Sequence, residues 1–140
     1  MIRDDDTMAT ILTLGEVMTP SPKTISIDAR LSDAEALMEE LGVNHLPVVD
    51  NGVVESIITD RDIKRFTLPA HKLAADEDLL ASDVGSTRAF VADVNDPLDE
   101  VLRRMTSQET GAVVVLNQGE LAGIFTETDA CRLLADLLSS

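Results

Sequence analysis

Two threonine–aspartate pairs are the residues in this chain whose types and spacing most clearly suit chemistry. Thr59 is followed three residues later by Asp62, and Thr126 is followed three residues later by Asp129. Each threonine ends an apolar run that predicts a buried strand, and each aspartate falls in the predicted first turn of a helix. A helix start offers free N–H groups and a partial positive charge, so it can hold a phosphate. The threonine hydroxyl can donate to a phosphate oxygen, and the carboxylate can accept both hydroxyls of a ribose.

The same pairs also have a purely structural explanation. Threonine and aspartate are ordinary capping residues, and an acidic side chain in the first turn is favoured by the helix dipole alone. The spacing of Thr59 and Asp62, or of Thr126 and Asp129, fits either explanation. Ligand binding and simple capping therefore both stay open at this point.

The two pairs belong to an internal repeat that covers most of the chain. A shift of 67 positions aligns Val17–Arg65 with Val84–Arg132 without a gap. Apolar identities fall where a core is expected, and the polar identities concentrate around the two pairs. A repeat of this kind predicts two copies of one small unit that pack together.

Each copy is predicted to have the order strand, helix, strand, turn, strand, helix. In the first copy the first strand is at Ile25 and Ile27, and a helix follows from Leu31 to Leu41, where Gly42 ends it. The next two strands, His45–Val49 and Val53–Ile58, are joined by the turn Asp50–Gly52. The second helix begins at Asp60. In the second copy, we expect Asp96 to cap a helix with Pro97 in its first position. The last helix, Glu127–Leu138, carries a leucine stripe, and Cys131 is expected to be a small core residue.

The repeat divides the chain into four segments. Residues 1–10 form an acidic tail, 11–66 the first repeat, 67–83 a polar connector and 84–140 the second repeat. Within the connector, Leu79 and Leu80 are expected to anchor a helical turn.

Composition excludes several classes of function. The chain has 26 acidic and 11 basic residues and a formal net charge of −15, which disfavours nucleic acid as a partner. No apolar run approaches the roughly 18 residues of a membrane helix. The single cysteine excludes an internal disulfide, and the acidic N-terminus does not look like a secretory signal. We therefore expect a cytoplasmic protein.

Catalytic and metal-binding motifs are not apparent. The sequence has two histidines and one cysteine without clustered spacing, so a metal site is not expected. It also has no recognisable nucleophile–base arrangement and no glycine-rich phosphate loop. The chain is therefore predicted not to be an enzyme and to require no cofactor.

Three short stretches resemble the signatures of the CBS domain family, and in particular a tandem CBS pair, or Bateman module. They are Val17–Pro20, His45–Asp50 and Ile57–Asp62, in the order and spacing of that family. The second repeat resembles the family through Gly123–Thr126 and Asp129. The resemblance covers about residues 15–138 and implies an α/β fold with two β-α-β-β-α repeats, pseudo-twofold symmetry and packed three-stranded sheets.

The resemblance also implies ligands and their contacts. Family members commonly bind AMP, ADP, ATP or S-adenosylmethionine in two clefts between the repeats. Carried over residue by residue, one cleft would contain Thr59, Asp62, Val91, Thr110 and Gly111, and the other Thr126, Asp129, Thr24, Val43, Asn44 and His45. Arg61, Lys64 and Arg88 would add positive charge to the first cleft, which favours it for a phosphate tail. The second has Glu127 beside it, with Lys23 and His45 as compensating bases.

The function implied by the resemblance is regulatory. We expect a stand-alone module that senses an adenosine-containing ligand for an unidentified partner protein. We also expect a homodimer, since family pairs often associate through helices, and the apolar faces that include Ile63 and Leu133 are the predicted contacts. The alternative is a dimerisation or scaffold module that binds no ligand.

Overall fold

The computed structural model describes residues 12–66, 79–84 and 87–139. These residues form two compact units. The first unit is Pro22–Ala89, and the second unit is Phe90–Ser140 together with the N-terminal residues up to Ser21. The predicted acidic tail 1–10 and most of the predicted connector, 67–78, lie outside the described residues.

Short helices and strands alternate along both units. In chain order they are α1 (Leu14–Val17), β1 (Thr19–Pro20), β2 (Ile25–Ser26), α2 (Leu31–Leu41), β3 (His45–Asp50), β4 (Val53–Thr59), α3 (Asp60–Phe66), α4 (Ala81–Val84), β5 (Thr87–Arg88), β6 (Val91–Asp93), α5 (Leu98–Gln108), β7 (Ala112–Asn117), β8 (Glu120–Thr126) and α6 (Glu127–Ser139). The predicted β-α-β-β-α order is confirmed in both repeats. Among the described residues, no helix has the length and apolar character needed to cross a bilayer.

Each unit contains one mixed sheet. The strand order is β2-β3-β4-β5 in the first unit and β1-β8-β7-β6 in the second. One outer pair is parallel in each sheet, β2 with β3 and β6 with β7, and the remaining pairs are antiparallel. The three predicted strands of each repeat are present, and a two-residue fourth strand, β5 or β1, extends each sheet.

The helix and strand that begin each repeat complete the other unit. Helix α1 and strand β1 lie in the second unit, where the N–H of Leu14 donates to the Asp96 carbonyl at 2.9 Å. Helix α4 and strand β5 lie in the first unit, where the N–H of Ala81 donates to the Ala29 carbonyl at 2.7 Å. Leu14 and Ala81 occupy equivalent repeat positions, and both side chains are fully buried. The repeat boundaries in sequence therefore differ from the boundaries of the compact units.

Turn residues stand where the sequence predicts them. Gly42 ends α2 in the left-handed conformation, with φ of 67°. Asn51 and Gly52 both have positive φ, 51° and 84°, which is the conformation of a tight type I′ hairpin turn. Gln118 and Gly119 repeat this turn with φ of 52° and 83°.

Three predictions about individual residues are wrong. Ile63 is 3% exposed and belongs to the core of the first unit, because α3 turns that face toward α2; it is therefore not available as a dimer contact. Cys131 is exposed, since it lies on the outer side of α6, rather than in the core. The N-cap of α5 is Pro97, and the helix begins at Leu98, one residue later than predicted.

Gly123 is required by a close contact in the second unit. A Cβ at this position would meet the Met18 sulfur and would lie 2.8 Å from the Thr19 carbonyl oxygen, because β1 pairs with β8 there. The equivalent position in the first unit is Ser56, which is buried and pairs with Arg88 in β5. The first unit therefore accommodates a side chain where the second does not.

We predict that Gly123→Ala lowers the free energy of unfolding by about 1–3 kcal/mol, because the added methyl must displace backbone as well as a side chain. The matched control is Ser56→Ala, which removes one hydroxyl and adds no atom. Urea unfolding of both variants measures the difference. An effect of Gly123→Ala no larger than that of Ser56→Ala would contradict the assignment.

Candidate functional site

The first threonine–aspartate pair lies where β4 passes directly into α3. The N–H of Thr59 donates to Asp62 Oδ2 at 3.0 Å, and the N–H of Asp62 donates to Thr59 Oγ1 at 3.1 Å. Asp62 is 8% exposed, so these bonds are partly shielded from water. The two residues therefore form a reciprocal cap of the kind known as a capping box.

The second pair repeats this geometry where β8 passes into α6. The N–H of Thr126 donates to Asp129 Oδ2 at 2.9 Å, and the N–H of Asp129 donates to Thr126 Oγ1 at 3.3 Å. The Thr126 hydroxyl also donates to Asp129 Oδ2, at 3.1 Å. The capping explanation thus describes hydrogen bonds that are present at both junctions.

Capping uses only one oxygen of each carboxylate. The other oxygen, Oδ1, lies 3.2 Å from Arg65 Nη2 in the first pair and 3.6 Å from Arg132 Nη1 in the second. The side chains of Arg65 and Arg132 are 59% and 68% exposed. The aspartate side chains are only 12% and 17% exposed, but each arginine can rotate into solvent, so a ligand that donates hydrogen bonds to Oδ1 can take its place.

Sequence reasoning missed these two arginines as site residues. Their signal was available, because Arg65 and Arg132 are identical residues at equivalent positions of the repeat, three residues after each aspartate. Each site is therefore a threonine, an aspartate and an arginine rather than a pair.

Asn44 and His45, which the sequence prediction groups with the other pair, lie beside Thr59 and Asp60 in the first unit. His45 is directly opposite Thr59 in the β3–β4 ladder, and the Asn44 carbonyl accepts the N–H of Asp60 at 3.0 Å. Val43 is 38% exposed. Thr24 immediately precedes β2 and is half-buried.

The second unit brings together the equivalent residues. The Gly111 carbonyl accepts the N–H of Glu127 at 3.0 Å, and the Thr110 hydroxyl donates to the Ala112 carbonyl at 3.2 Å. Val91 is 41% exposed, and its carbonyl accepts a bond from Arg104 Nη2 at 3.3 Å. The grouping of each pair with residues of the other repeat stays a prediction.

The predicted phosphate-binding cations of the first unit lie on α3. Arg61 is exposed at the second position of the helix, and Lys64 Nζ lies 3.9 Å from Asp60 Oδ2. The side chain of Arg88 lies outside the described part of the structure. Arg61 directly precedes Asp62 in the chain, whereas Lys64 is paired with Asp60 on another face of the helix.

A separate surface pocket of about 350 Å³ lies between α2 and α3. Its lining contains Val43 and Asn44 but neither Thr59 nor Asp62. Its charged lining residues are Glu35, Glu39, Asp60 and Lys64, and this excess of acid disfavours an anionic ligand. Within the described ranges, no cluster of three or more histidine, cysteine, aspartate or glutamate side chains could hold a metal ion.

Comparison with protein families gives the class of the chain. The CBS domain family matches it twice, at residues 14–68 and 81–136. The chain therefore belongs to the CBS domain family and contains a tandem pair of CBS domains.

Individual relatives agree with this assignment. A CBS domain-containing protein of Dictyostelium discoideum is 30% identical over 132 residues, which is 88% of this chain and 91% of the relative. The CBS domain pair of protein MJ0100, in complex with 5′-methylthioadenosine and S-adenosyl-L-methionine, superimposes with a TM-score of 0.78 at 23% identity and covers 90% of this chain and 98% of its own. CBSX2 from Arabidopsis thaliana, in complex with AMP, gives a TM-score of 0.74 at 21% identity, with coverage of 89% and 97%. At these identities the two structures show that the fold is shared.

We predict that Thr59→Ala and Thr126→Ala each destabilise the protein by about 1 kcal/mol, because each leaves one N–H of its helix without an acceptor. Thr59→Ser and Thr126→Ser keep the hydroxyl and should restore most of this stability. Chemical unfolding of the four variants measures the effect. Equal destabilisation by serine and alanine would show that the methyl group matters and the hydroxyl does not.

Proposed function

We propose that this CBS pair binds adenosine-containing ligands at Thr59–Asp62 and at Thr126–Asp129. The observation that supports this most directly is that the two oxygens of each aspartate carboxylate have different hydrogen-bonding partners. Oδ2 accepts the capping hydrogen bonds, while the contact recorded for Oδ1 among the described residues is with the guanidinium of an exposed arginine. A ribose can therefore bind Oδ1 through its hydroxyls without disrupting the cap.

The chemistry of the site fits a sugar better than a free anion. An ionised carboxylate only accepts hydrogen bonds, and two adjacent hydroxyls are suitable donors. A bare phosphate would be repelled by Asp62 or Asp129 unless cations outweighed them. The ribose is therefore the expected anchor, and the group on its 5′ carbon would interact with neighbouring residues such as Arg61.

The ligands of related folds support the same class. MJ0100 is in complex with 5′-methylthioadenosine and S-adenosyl-L-methionine, and CBSX2 is in complex with AMP. These molecules share adenine and ribose and differ at the 5′ position. A ribose-binding aspartate is the kind of feature that would serve all three.

We further propose a regulatory role without catalysis, in the cytoplasm and as a homodimer. Leu134 and Leu138 on α6 are 57% and 78% exposed, and such apolar side chains favour burial against a second copy. A ligand would regulate a partner protein by binding one arrangement of the module more tightly than another. The partner is not identified by any residue of the chain.

A scaffold that binds no ligand is the second candidate. It is favoured by the capping hydrogen bonds themselves, because they give both pairs a structural role in the absence of ligand. Binding measurements separate the two candidates, since both share the same fold and the same caps.

We predict that AMP at about 100 times its Kd stabilises the wild-type protein by about 2.7 kcal/mol for each site that it occupies. The double variant Asp62→Ala, Asp129→Ala should lose this stabilisation relative to its own ligand-free state, because neither ribose acceptor remains. Asp136→Ala, which removes an exposed acid elsewhere on α6, is the matched control and should respond like wild type. Thermal melts with and without AMP, 5′-methylthioadenosine and S-adenosylmethionine provide the measurement.

If none of these compounds stabilises the wild-type protein, the scaffold is the correct function. Equal stabilisation of the double variant and of Asp136→Ala would show that adenosine compounds bind elsewhere.

A further inference from the structure

The two sites have the same hydrogen bonds but different charges around them. The 67-residue shift places Asp60–Arg65 on Glu127–Arg132. Both segments contain the aspartate and the arginine that contacts its Oδ1, at 3.2 Å in one and 3.6 Å in the other. These groups are shared, so the difference in charge between the two segments comes from their other positions.

The two segments have formal charges of opposite sign, because their other positions differ. Arg61 of the first unit corresponds to Thr128 of the second, and Lys64 corresponds to Cys131. Asp60–Arg65 contains two acids and three bases, which gives a formal charge of +1. Glu127–Arg132 contains two acids and one base, which gives −1. All four exchanged side chains are exposed; Arg61 and Thr128 directly precede the aspartates, whereas Lys64 lines the neighbouring pocket between α2 and α3.

The acidic residue at the start of each helix also differs in its ion pairing. In the first unit, Asp60 forms an ion pair with Lys64 one turn along the helix, at 3.9 Å. In the second unit, the residue one turn after Glu127 is Cys131, whose thiol cannot form that ion pair. The negative charge of Glu127 is therefore not offset from this position.

The Glu127 carboxylate belongs to the first residue of α6, directly after Thr126. A Cβ built on Gly111 would be 3.1 Å from Glu127 Oε1, so the carboxylate lies against the backbone of Gly111. The Gly111 carbonyl in turn accepts the Glu127 N–H, next to Thr126. A phosphate bound at Thr126 would approach this carboxylate and be repelled, whereas a sulfonium would be attracted.

We propose that the two sites select different classes of adenosine ligand. The Thr59–Asp62 site takes ligands with a 5′ phosphate, and the Thr126–Asp129 site takes ligands whose 5′ group is uncharged or cationic, such as a thioether or a sulfonium. This inference rests on the proposed function. It adds that Arg61 in place of Thr128, and Asp60 paired with Lys64 in place of Glu127, determine the selection.

Single-site proteins allow the selection to be measured. Asp129→Ala leaves the first site and Asp62→Ala leaves the second, and calorimetric titration gives the Kd of AMP and of 5′-methylthioadenosine for each. We expect AMP to bind the first site more tightly than 5′-methylthioadenosine, and the order to reverse at the second site. A two-charge difference at the surface should change the AMP affinity on the order of tenfold at low salt, and added salt should reduce that change.

Exchanging residues between equivalent positions of the two repeats tests whether their charges cause the difference in ligand preference. In the Asp62→Ala protein, Thr128→Arg with Cys131→Lys should shift the preference of the second site toward AMP. In the Asp129→Ala protein, Arg61→Thr with Lys64→Cys should shift the preference of the first site away from AMP. If an exchanged protein fails to fold, Glu127→Gln provides the alternative variant: it should raise the affinity of the second site for AMP several-fold and lower its affinity for S-adenosylmethionine.

The outcomes distinguish this inference from the proposed function. Binding of AMP and 5′-methylthioadenosine in the same ratio at both sites, or an unchanged ratio after the exchange and after Glu127→Gln, would overturn the selection but leave adenosine binding intact. No binding of either compound by the wild-type protein would overturn the proposed function itself.

Discussion

The structure depends on the reciprocal cap at each junction between strand and helix. No loop residue separates β4 from α3 or β8 from α6, so the first helical N–H groups must find acceptors locally. Thr59 and Asp62, or Thr126 and Asp129, provide them through paired backbone and side-chain bonds. A further bond ties the start of each helix to the residue before the first strand of the hairpin, from Asp60 to Asn44 and from Glu127 to Gly111. The atoms proposed to bind ligand are therefore held by the bonds that build the fold.

The structural role of these capping residues explains why some positions are the same in both copies of the repeat while others differ. The threonine and the aspartate cannot vary without cost, because they stabilise the junction whether or not a ligand is bound. Exposed neighbours such as Arg61 and Thr128 have no such structural role among the described contacts, so their charge can change freely. Under the proposed function, the two copies share a ribose anchor, and the 5′ group of the ligand is selected separately at each site.

Features set by a residue's own conformation could be predicted from the sequence. Gly42 and the Asn51–Gly52 turn are examples, because positive φ is a local requirement. Features set by distant contacts could not. Apolar spacing placed Ile63 and Cys131 on helices but did not show that one faces its core and the other faces outward. Strand β1 is only two residues long and has no periodicity, so nothing local indicated that it completes the second unit.

The central claim is that one aspartate both caps its helix and binds a ribose. The most direct test is a crystal structure of the full chain with AMP. The account predicts that Asp62 Oδ2 keeps its bond from the Thr59 N–H, while the ribose hydroxyls replace Arg65 at Oδ1. A structure in which AMP binds elsewhere and the Arg65–Asp62 contact is intact would contradict it.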